Sequence, residues 1–342
     1  MSMKANFRND YSVLCHPQIL KALEKYSSEV NEVYGLDRHS KRAKRYIREI
    51  FGLPKAKVFF VNGGTMANLL FMSYVLKPYE AVIACKSGHI NVHESGAIEG
   101  SGHKIIAKEG FNGKLYPEDI KEVLDFHVDE HMVKPKLVYI SNSTEIGSVY
   151  SAKELRDLYK FCKENGLYLY IDGARLGAAL TSKNNDLKAM EIGEVCDAFS
   201  IGGAKNGLIS GEALVIKDKE LASDFRYHIK NKGAMVSKGY FLGIQFAELF
   251  KNTLYFDLAR NSNDMAFKLY KGLEELNVDM LPFESNQIFV RVENNKVDKL
   301  VECFGVEVWA KGEERTIVRF VTSFSTTLKD IEAVIKVFKG FN

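Results

Sequence analysis

The stretch Leu167-Tyr-Leu-Tyr-Ile-Asp172-Gly-Ala-Arg175 is a short apolar run that ends on a carboxylate, with a guanidinium just beyond. Downstream, Asp197-Ala-Phe-Ser-Ile-Gly-Gly-Ala-Lys205-Asn-Gly207 follows the same plan and ends on a lone lysine. Runs of aromatic and aliphatic residues this short, closed by glycine, read as buried strands. Outward from this pair the alternation continues in both directions. Residues 57–61, 80–85, 104–107, 136–141 and 213–216 read as strands. Residues 65–76, 117–127 and 152–165 have helical spacing, the last closed by Gly166. Near-continuous apolar strands separated by helices predict an α/β layer with a mostly parallel sheet. Ligands of such sheets sit at the carboxyl ends of the strands, where Asp172 and Lys205 fall.

After Tyr255 the texture changes. A long helix over 256–276 leads to strands at 287–292, 306–310 and 316–321, with helices at 297–304 and from 328 onward. The expectation is an N-terminal arm and large domain over 1–255 and a small α/β domain over 256–342.

The 342 residues are 46% hydrophobic and 27% charged, enough for a sizeable core. Net charge is +3, from 47 basic and 44 acidic residues without long like-charged blocks, which gives nucleic-acid binding no electrostatic support. Five scattered cysteines, without a C-x-x-C pair, point to a reducing compartment. The first ten residues lack an apolar signal core, and no run approaches the roughly 18 apolar residues of a membrane span. The expected location is the cytoplasm.

Three groups carry chemistry. Asn62-Gly-Gly-Thr-Met-Ala-Asn68 joins a strand to a helix, where free N–H groups and two glycines can cradle a phosphate. The same sequence also suits an ordinary turn, and it matches neither the P-loop nor the dinucleotide fingerprint. Asp172 can serve as a helix cap and Arg175 as half of a surface ion pair. Lys205, however, stands among small residues that need no lysine for packing and leave room for a ring. A carboxylate, an arginine and a lysine in this order, behind a phosphate cup, are what pyridoxal 5'-phosphate (PLP) chemistry requires. The segment Gly88-His89-Ile-Asn-Val-His93-Glu94 allows two readings. His89 suits a ring stacked on a flat cofactor. The i, i+4 spacing of His89 and His93 also suits a metal site, although H-x-x-x-H-E is not H-E-x-x-H. A metal-dependent hydrolase and a non-enzymatic binding protein therefore stand as rivals. His131, in the charged segment Asp129-Glu-His-Met, reads from sequence as a loop histidine.

Taken together, Phe7-Arg-Asn-Asp10, Glu32-Val-Tyr-Gly35, the Asn62–Asn68 segment, Gly88-His89, Ile171-Asp-Gly-Ala-Arg175, the Lys205 turn and Val318-Arg-Phe-Val-Thr322 resemble the threonine aldolases of the β-eliminating lyase family. That resemblance spans nearly the whole chain. It implies a PLP enzyme of the aspartate aminotransferase fold that cleaves L-threonine or L-allo-threonine to glycine and acetaldehyde. Elimination of a β-substituent, or cleavage of bulkier β-hydroxy amino acids, are the alternatives within the family. The resemblance implies Lys205 as the Schiff-base lysine, Asp172 on the pyridine nitrogen and His89 stacked on the ring. Gly64, Thr65 and Met66 fall on the phosphate, with Lys238 standing where relatives carry an arginine. Arg175 and Arg319 fall on the substrate carboxylate, Asn9 and Tyr34 at the substrate, and His131 near the β-hydroxyl. Relatives have Glu-Asn-Thr-His where this chain has Asn142-Ser-Thr-Glu145. A homodimer or homotetramer is implied, with the arm of residues 6–33 reaching toward a partner. No metal, nucleic-acid or membrane partner is expected.

Overall fold

The alternation of side chains along the central strands builds the large unit. In the strand Lys134–Ser141, Val138 and Ile140 face one apolar cluster while Leu137 and Tyr139 face another. The strand Tyr168–Asp172 repeats the pattern, with Leu169 and Ile171 on one side and Tyr170 on the other. Successive side chains point to opposite faces, so a strand apolar at every position must be covered on both. This is a computed structural model that describes residues 5–341.

The large sheet contains β1 (Lys57–Val61), β2 (Glu80–Cys85), β3 (Ile105–Lys108), β4 (Lys134–Ser141), β5 (Tyr168–Asp172), β6 (Ala198–Gly202) and β7 (Glu212–Ile216). Their order across the sheet is β1-β7-β6-β5-β4-β2-β3, and only β7 runs antiparallel to its neighbours. The helix Gly64–Val75 covers one face, and the helices Arg38–Ile50, Ala152–Glu164 and Tyr240–Phe250 cover the other. Ser151 and Glu154 form a reciprocal capping box that starts the helix Ala152–Glu164, satisfying two otherwise orphan N–H groups.

A second, antiparallel sheet contains β8 (Gln287–Glu293), β9 (Glu307–Lys311) and β10 (Arg315–Val321), in the order β8-β10-β9. It packs on the helices Leu254–Glu274, Asn294–Phe304 and Leu328–Lys339 around its own core. The 21-residue helix Leu254–Glu274 ties the units together. Its Tyr255 and Leu258 belong to the large core, and its Met265, Leu269 and Leu273 to the small one. A boundary at residue 255 therefore falls inside this helix. The start of the chain also differs from expectation. Phe7 is buried in the small unit's core, its N–H donating to Phe304 O at 2.8 Å and its O accepting from Val321 N at 2.8 Å. Burying a phenylalanine stabilises by about 1.5–3 kcal/mol, which helps offset the entropy of ordering the arm. The arm's first residues thus fold onto their own chain.

The turns after β5 and β6 lie flush. A Cβ on Gly173 would meet Ser200 O at 2.0 Å, and one on Gly202 would meet Ala174 O at 2.0 Å. Only glycine permits this approach, and it sets the Asp172 and Lys205 turns side by side.

Candidate active site

At the carboxyl edge of the large sheet lies a cleft of about 340 Å³. Its walls include Asn9, Tyr11, His89, His93, Glu145, Arg175, Lys205 and Arg319. Both units contribute, since Arg319 lies on β10 and Lys205 follows β6. Of the residues expected from sequence, Asn9, His89, Arg175, Lys205 and Arg319 line it.

Asp172 ends β5 and is buried. Its Oδ1 accepts from Ala174 N at 2.9 Å, and its Oδ2 accepts from Asn68 Nδ2 at 2.9 Å and Tyr139 Oη at 2.7 Å. Burial alone would raise its pKa. The charge of His89 and the hydrogen bonds from Asn68, Tyr139 and Ala174 outweigh burial and hold the carboxylate below its usual range. Asn68 also donates to Glu94 Oε1 at 2.8 Å, and Glu94 Oε1 lies 2.7 Å from His89 Nδ1. Asp172, Asn68, Glu94 and His89 thus form one continuous chain of contacts. Burial depresses the His89 pKa, but the Glu94 hydrogen bond, with Glu145 and Asp172 behind it, reverses that and raises it.

Lys205 sits in a 3-10 turn, Ala204–Asn206, half-buried, and makes no protein hydrogen bond among the described residues. Its Nζ stands 6.0 Å from the centre of the Tyr11 ring. An amine this lightly held can swing, as a covalent role demands.

The helix Gly64–Val75 starts with no side-chain cap, and its first helical bond runs from Ala67 N to Gly63 O. The N–H groups of Gly64, Thr65 and Met66 therefore face out of the helix end, and a Cβ on Gly63 would meet nothing within 4 Å. An open, uncapped helix end is an anion cradle. Glu212 lies next to it, its Oε1 3.9 Å from the Cβ position of Gly64. Burial, then the charge of Asp172, push the Glu212 pKa up to about 8. At neutral pH it is mainly protonated and does not repel a phosphate.

Arg175 is buried and forked onto Asp10, with Nε to Oδ2 at 2.7 Å and Nη2 to Oδ1 at 3.1 Å. Asp10 also accepts from Asn286 Nδ2 at 3.1 Å. Arg319 donates through Nη1 to Gln287 Oε1 at 2.9 Å, and its Nη2 pairs with Glu307. Its guanidinium stands 4.8 Å from the Trp309 ring centre, and its buried Nε has no partner among the described residues. Burial, and then the like charge of Arg175, lower the Arg319 pKa. Two neighbouring arginines, one with an orphan donor, form a receptor for a carboxylate.

Three expected residues lie elsewhere. His131 is exposed on the loop before β4. The eight residues of β4 span roughly 26 Å, so His131 stands at the opposite edge of the sheet and cannot act as the base on the β-hydroxyl of a substrate in this cleft. Tyr34 and Lys238 are both exposed; Tyr34 lines a second, smaller depression, and its N–H donates to Ser237 O, next to Lys238, at 2.9 Å. They do not reach the cleft of their own chain. Asn9 does line the cleft, but its Oδ1 is taken by Tyr11 N at 3.1 Å and Ser12 Oγ at 2.8 Å. Sequence reasoning missed Asp10 as the partner of Arg175, the Asn68–Glu94 link, and Glu145. The hydrolase rival gains no support, since no group of three His, Cys, Asp or Glu side chains that could hold a metal ion occurs among the described residues.

The donor set fits PLP. A lysine without a hydrogen bond, a low-pKa carboxylate and an open helix end are present together, with an imidazole at the mouth. Asp172 would hold the pyridine nitrogen, and the N–H groups of Gly64, Thr65 and Met66 the phosphate. Lys205 would carry the aldehyde.

Residues 19–295 match the beta-eliminating lyase family. The chain is 33% identical to the low specificity L-threonine aldolase of a Pseudomonas species, over 85% of each protein. The threonine aldolase of Leishmania major superposes with a TM-score of 0.97 at 43% identity, covering 98% of this chain and 99% of that one. An aspartate aminotransferase of Thermus thermophilus shares the fold alone, with a TM-score of 0.74 at 14% identity, over 99% of this chain and 92% of that one. Fold, cleft and sequence agree: the chain belongs to the beta-eliminating lyase family, PLP-dependent lyases on the aspartate aminotransferase fold.

Proposed function

We propose that the protein cleaves L-threonine or L-allo-threonine to glycine and acetaldehyde. The observation that carries this reading is the convergence of Lys205 with Arg175 and Arg319 in one cleft, in a chain 43% identical to a threonine aldolase. Bound PLP supplies an aldehyde for the amino group and a ring that accepts electron density from Cα. The remaining work belongs to this chain. Arg175 and Arg319 fix the carboxylate with planar donors, and so set which bond at Cα can break. Asp172 would hold the ring nitrogen of bound PLP with its negative charge, and Asn68 and Tyr139 keep its carboxylate from turning. Glu94 holds the His89 ring through Nδ1, and His89 would stack on the bound cofactor.

A homo-oligomer is part of the same proposal. Val30, Val33, Tyr34 and Leu36 are all exposed in one short stretch, an apolar surface that calls for cover. Tyr34 and Lys238, displaced from their own cleft, would then reach that of a neighbour. Five free cysteines suit a reducing cytoplasm, and among the described residues no helix is long and apolar enough to cross a membrane.

The test is an absorbance spectrum of the purified protein followed by incubation with each threonine diastereomer. A visible cofactor band and released acetaldehyde support the reading. A cofactor-loaded protein that yields no aldehyde, but releases a β-substituent from other amino acids, replaces it with an elimination.

A further inference from the structure

With His131 removed from the cleft, the reaction lacks a named acceptor for the β-hydroxyl proton. We propose that Glu145 is that acceptor; the inference rests on the aldolase reading above. Glu145 lies in the turn that leaves β4, on the carboxyl edge that also carries Asp172, since Ser141 pairs with Asp172 across β4 and β5. It is buried, only 7% exposed, yet it lines the cleft that holds Lys205 and the two arginines.

Its surroundings leave it chemically available. Oε1 accepts a long 3.3 Å hydrogen bond from Ser141 Oγ. Oε2 has no protein hydrogen bond among the described residues and is not fully enclosed, and Glu145 lines both the cleft and a smaller cavity beside Tyr139. It forms no ion pair within 4 Å among the described residues. The other acids near the cleft are paired or enclosed. Asp10 is held by Arg175, Asp172 by three donors and Glu307 by Arg319, while Glu94 takes Asn68 and His89 on Oε1 and its Oε2, unpartnered among the described residues, is fully enclosed, away from any substrate. A buried carboxylate with a free oxygen is costly unless a ligand donor completes it. A substrate hydroxyl is such a donor.

The position agrees with this. The charge of Glu145 acts on Arg175, His89 and His93. It shares one cleft with the carboxylate clamp and the imidazoles, where an amino acid held by that clamp would lie. The proton balance is simple. The β-O–H proton passes to Glu145 Oε2, and the oxygen's electron pair becomes the second bond of the acetaldehyde carbonyl. The Cα–Cβ bond breaks and leaves its pair on Cα, which takes up a proton to give glycine.

The test compares Glu145→Gln, which keeps shape and removes basicity, with the wild-type holoenzyme. Two reactions are followed: acetaldehyde release from L-threonine, and exchange of the glycine α-proton in deuterium oxide by NMR. The second uses the same cofactor and the same carboxylate clamp but no β-hydroxyl. The expected result is a fall in kcat for aldehyde release of about 100-fold or more. KM, the visible cofactor spectrum and glycine exchange should stay within about 2-fold. Aldehyde release within 3-fold of wild type overturns the proposal, as does equal loss of both reactions, which would mark Glu145 as structural. A large loss in His93→Asn beside an active Glu145→Gln also overturns it, by moving the role to His93. Wild-type protein that exchanges glycine but cleaves neither threonine diastereomer sinks the aldolase reading itself, and this assignment with it.

Discussion

Asp172→Asn separates a cofactor-holding carboxylate from a helix-capping one. All three protein partners of Asp172 are donors: Ala174 N on Oδ1, and Asn68 Nδ2 and Tyr139 Oη on Oδ2. An amide must point its NH2 at one side. Toward Ala174, it leaves that N–H without an acceptor. Toward the other side, Tyr139 can turn its hydroxyl to Ser141 Oγ, 3.2 Å away, but the Asn68 hydrogen is stranded. Either way one buried donor is lost, at a cost of about 1–3 kcal/mol. For a chain of this length that lowers Tm by about 1–4 °C. The larger effect falls on the cofactor, because a charge-assisted bond to a ring nitrogen is worth about 1.5–3 kcal/mol, or roughly 10- to 150-fold in affinity. Titration of the apo-protein with PLP, followed by absorbance, and thermal melts of the same sample measure both quantities. A variant with the small Tm loss but unchanged cofactor affinity and kcat would show that Asp172 is only a cap.

Lys205→Ala should abolish turnover and borohydride-stable labelling while leaving circular dichroism unchanged, since Lys205 has no hydrogen bond or ion pair to lose among the described residues; retained activity would remove its covalent role. Arg319→Lys should raise KM for threonine at least tenfold with the cofactor still bound, whereas Arg175→Lys should also lower Tm, because it replaces the two-point pair with buried Asp10 by a single contact; matching melts for the two variants would contradict this. Glu94→Gln should change how stability depends on pH. His89 has a raised pKa in the folded state, chiefly because its Glu94 bond overcomes burial, so this pair's stabilisation is complete below the free-histidine value of about 6.5 and is lost as pH rises through the raised one. The Tm difference between wild type and Glu94→Gln should therefore shrink with rising pH above about 6.5; parallel melting curves would refute the coupling.

The layer architecture was legible because its signal is local. Buried parallel strands must be apolar at every position, so β2 and β5 announce themselves, and glycine marks where they stop. Asp172 and Lys205 were legible for the same reason, as reactive groups immediately after such strands. What sequence could not supply are the partners that hold those groups. Asp10 lies 165 positions from Arg175, and Asn68 lies 104 from Asp172. Each lies in a segment the resemblance singled out, but nothing in that segment names its partner, because the pairing is set by where two distant turns meet. His131 failed in the opposite way. Its neighbourhood in sequence, just ahead of a core strand, places it at the amino edge, and strand direction alone excludes it from the site.

The electrostatics of the cleft explain why these partners are needed. Arg175, Arg319 and Lys205 would repel one another strongly in a partly buried space. Asp10 is placed where it offsets two of them: it pairs with Arg175, and its own pKa, which burial would raise, is brought down by Arg175 and then by Lys205. Glu307 offsets the third. These acids answer to the folded protein's own cations, so they are spent before any substrate arrives. Glu145 is the carboxylate in the cleft left without such a pairing. A carboxylate kept buried without a direct ion pair costs stability, and that cost is intelligible if the group acts in the reaction.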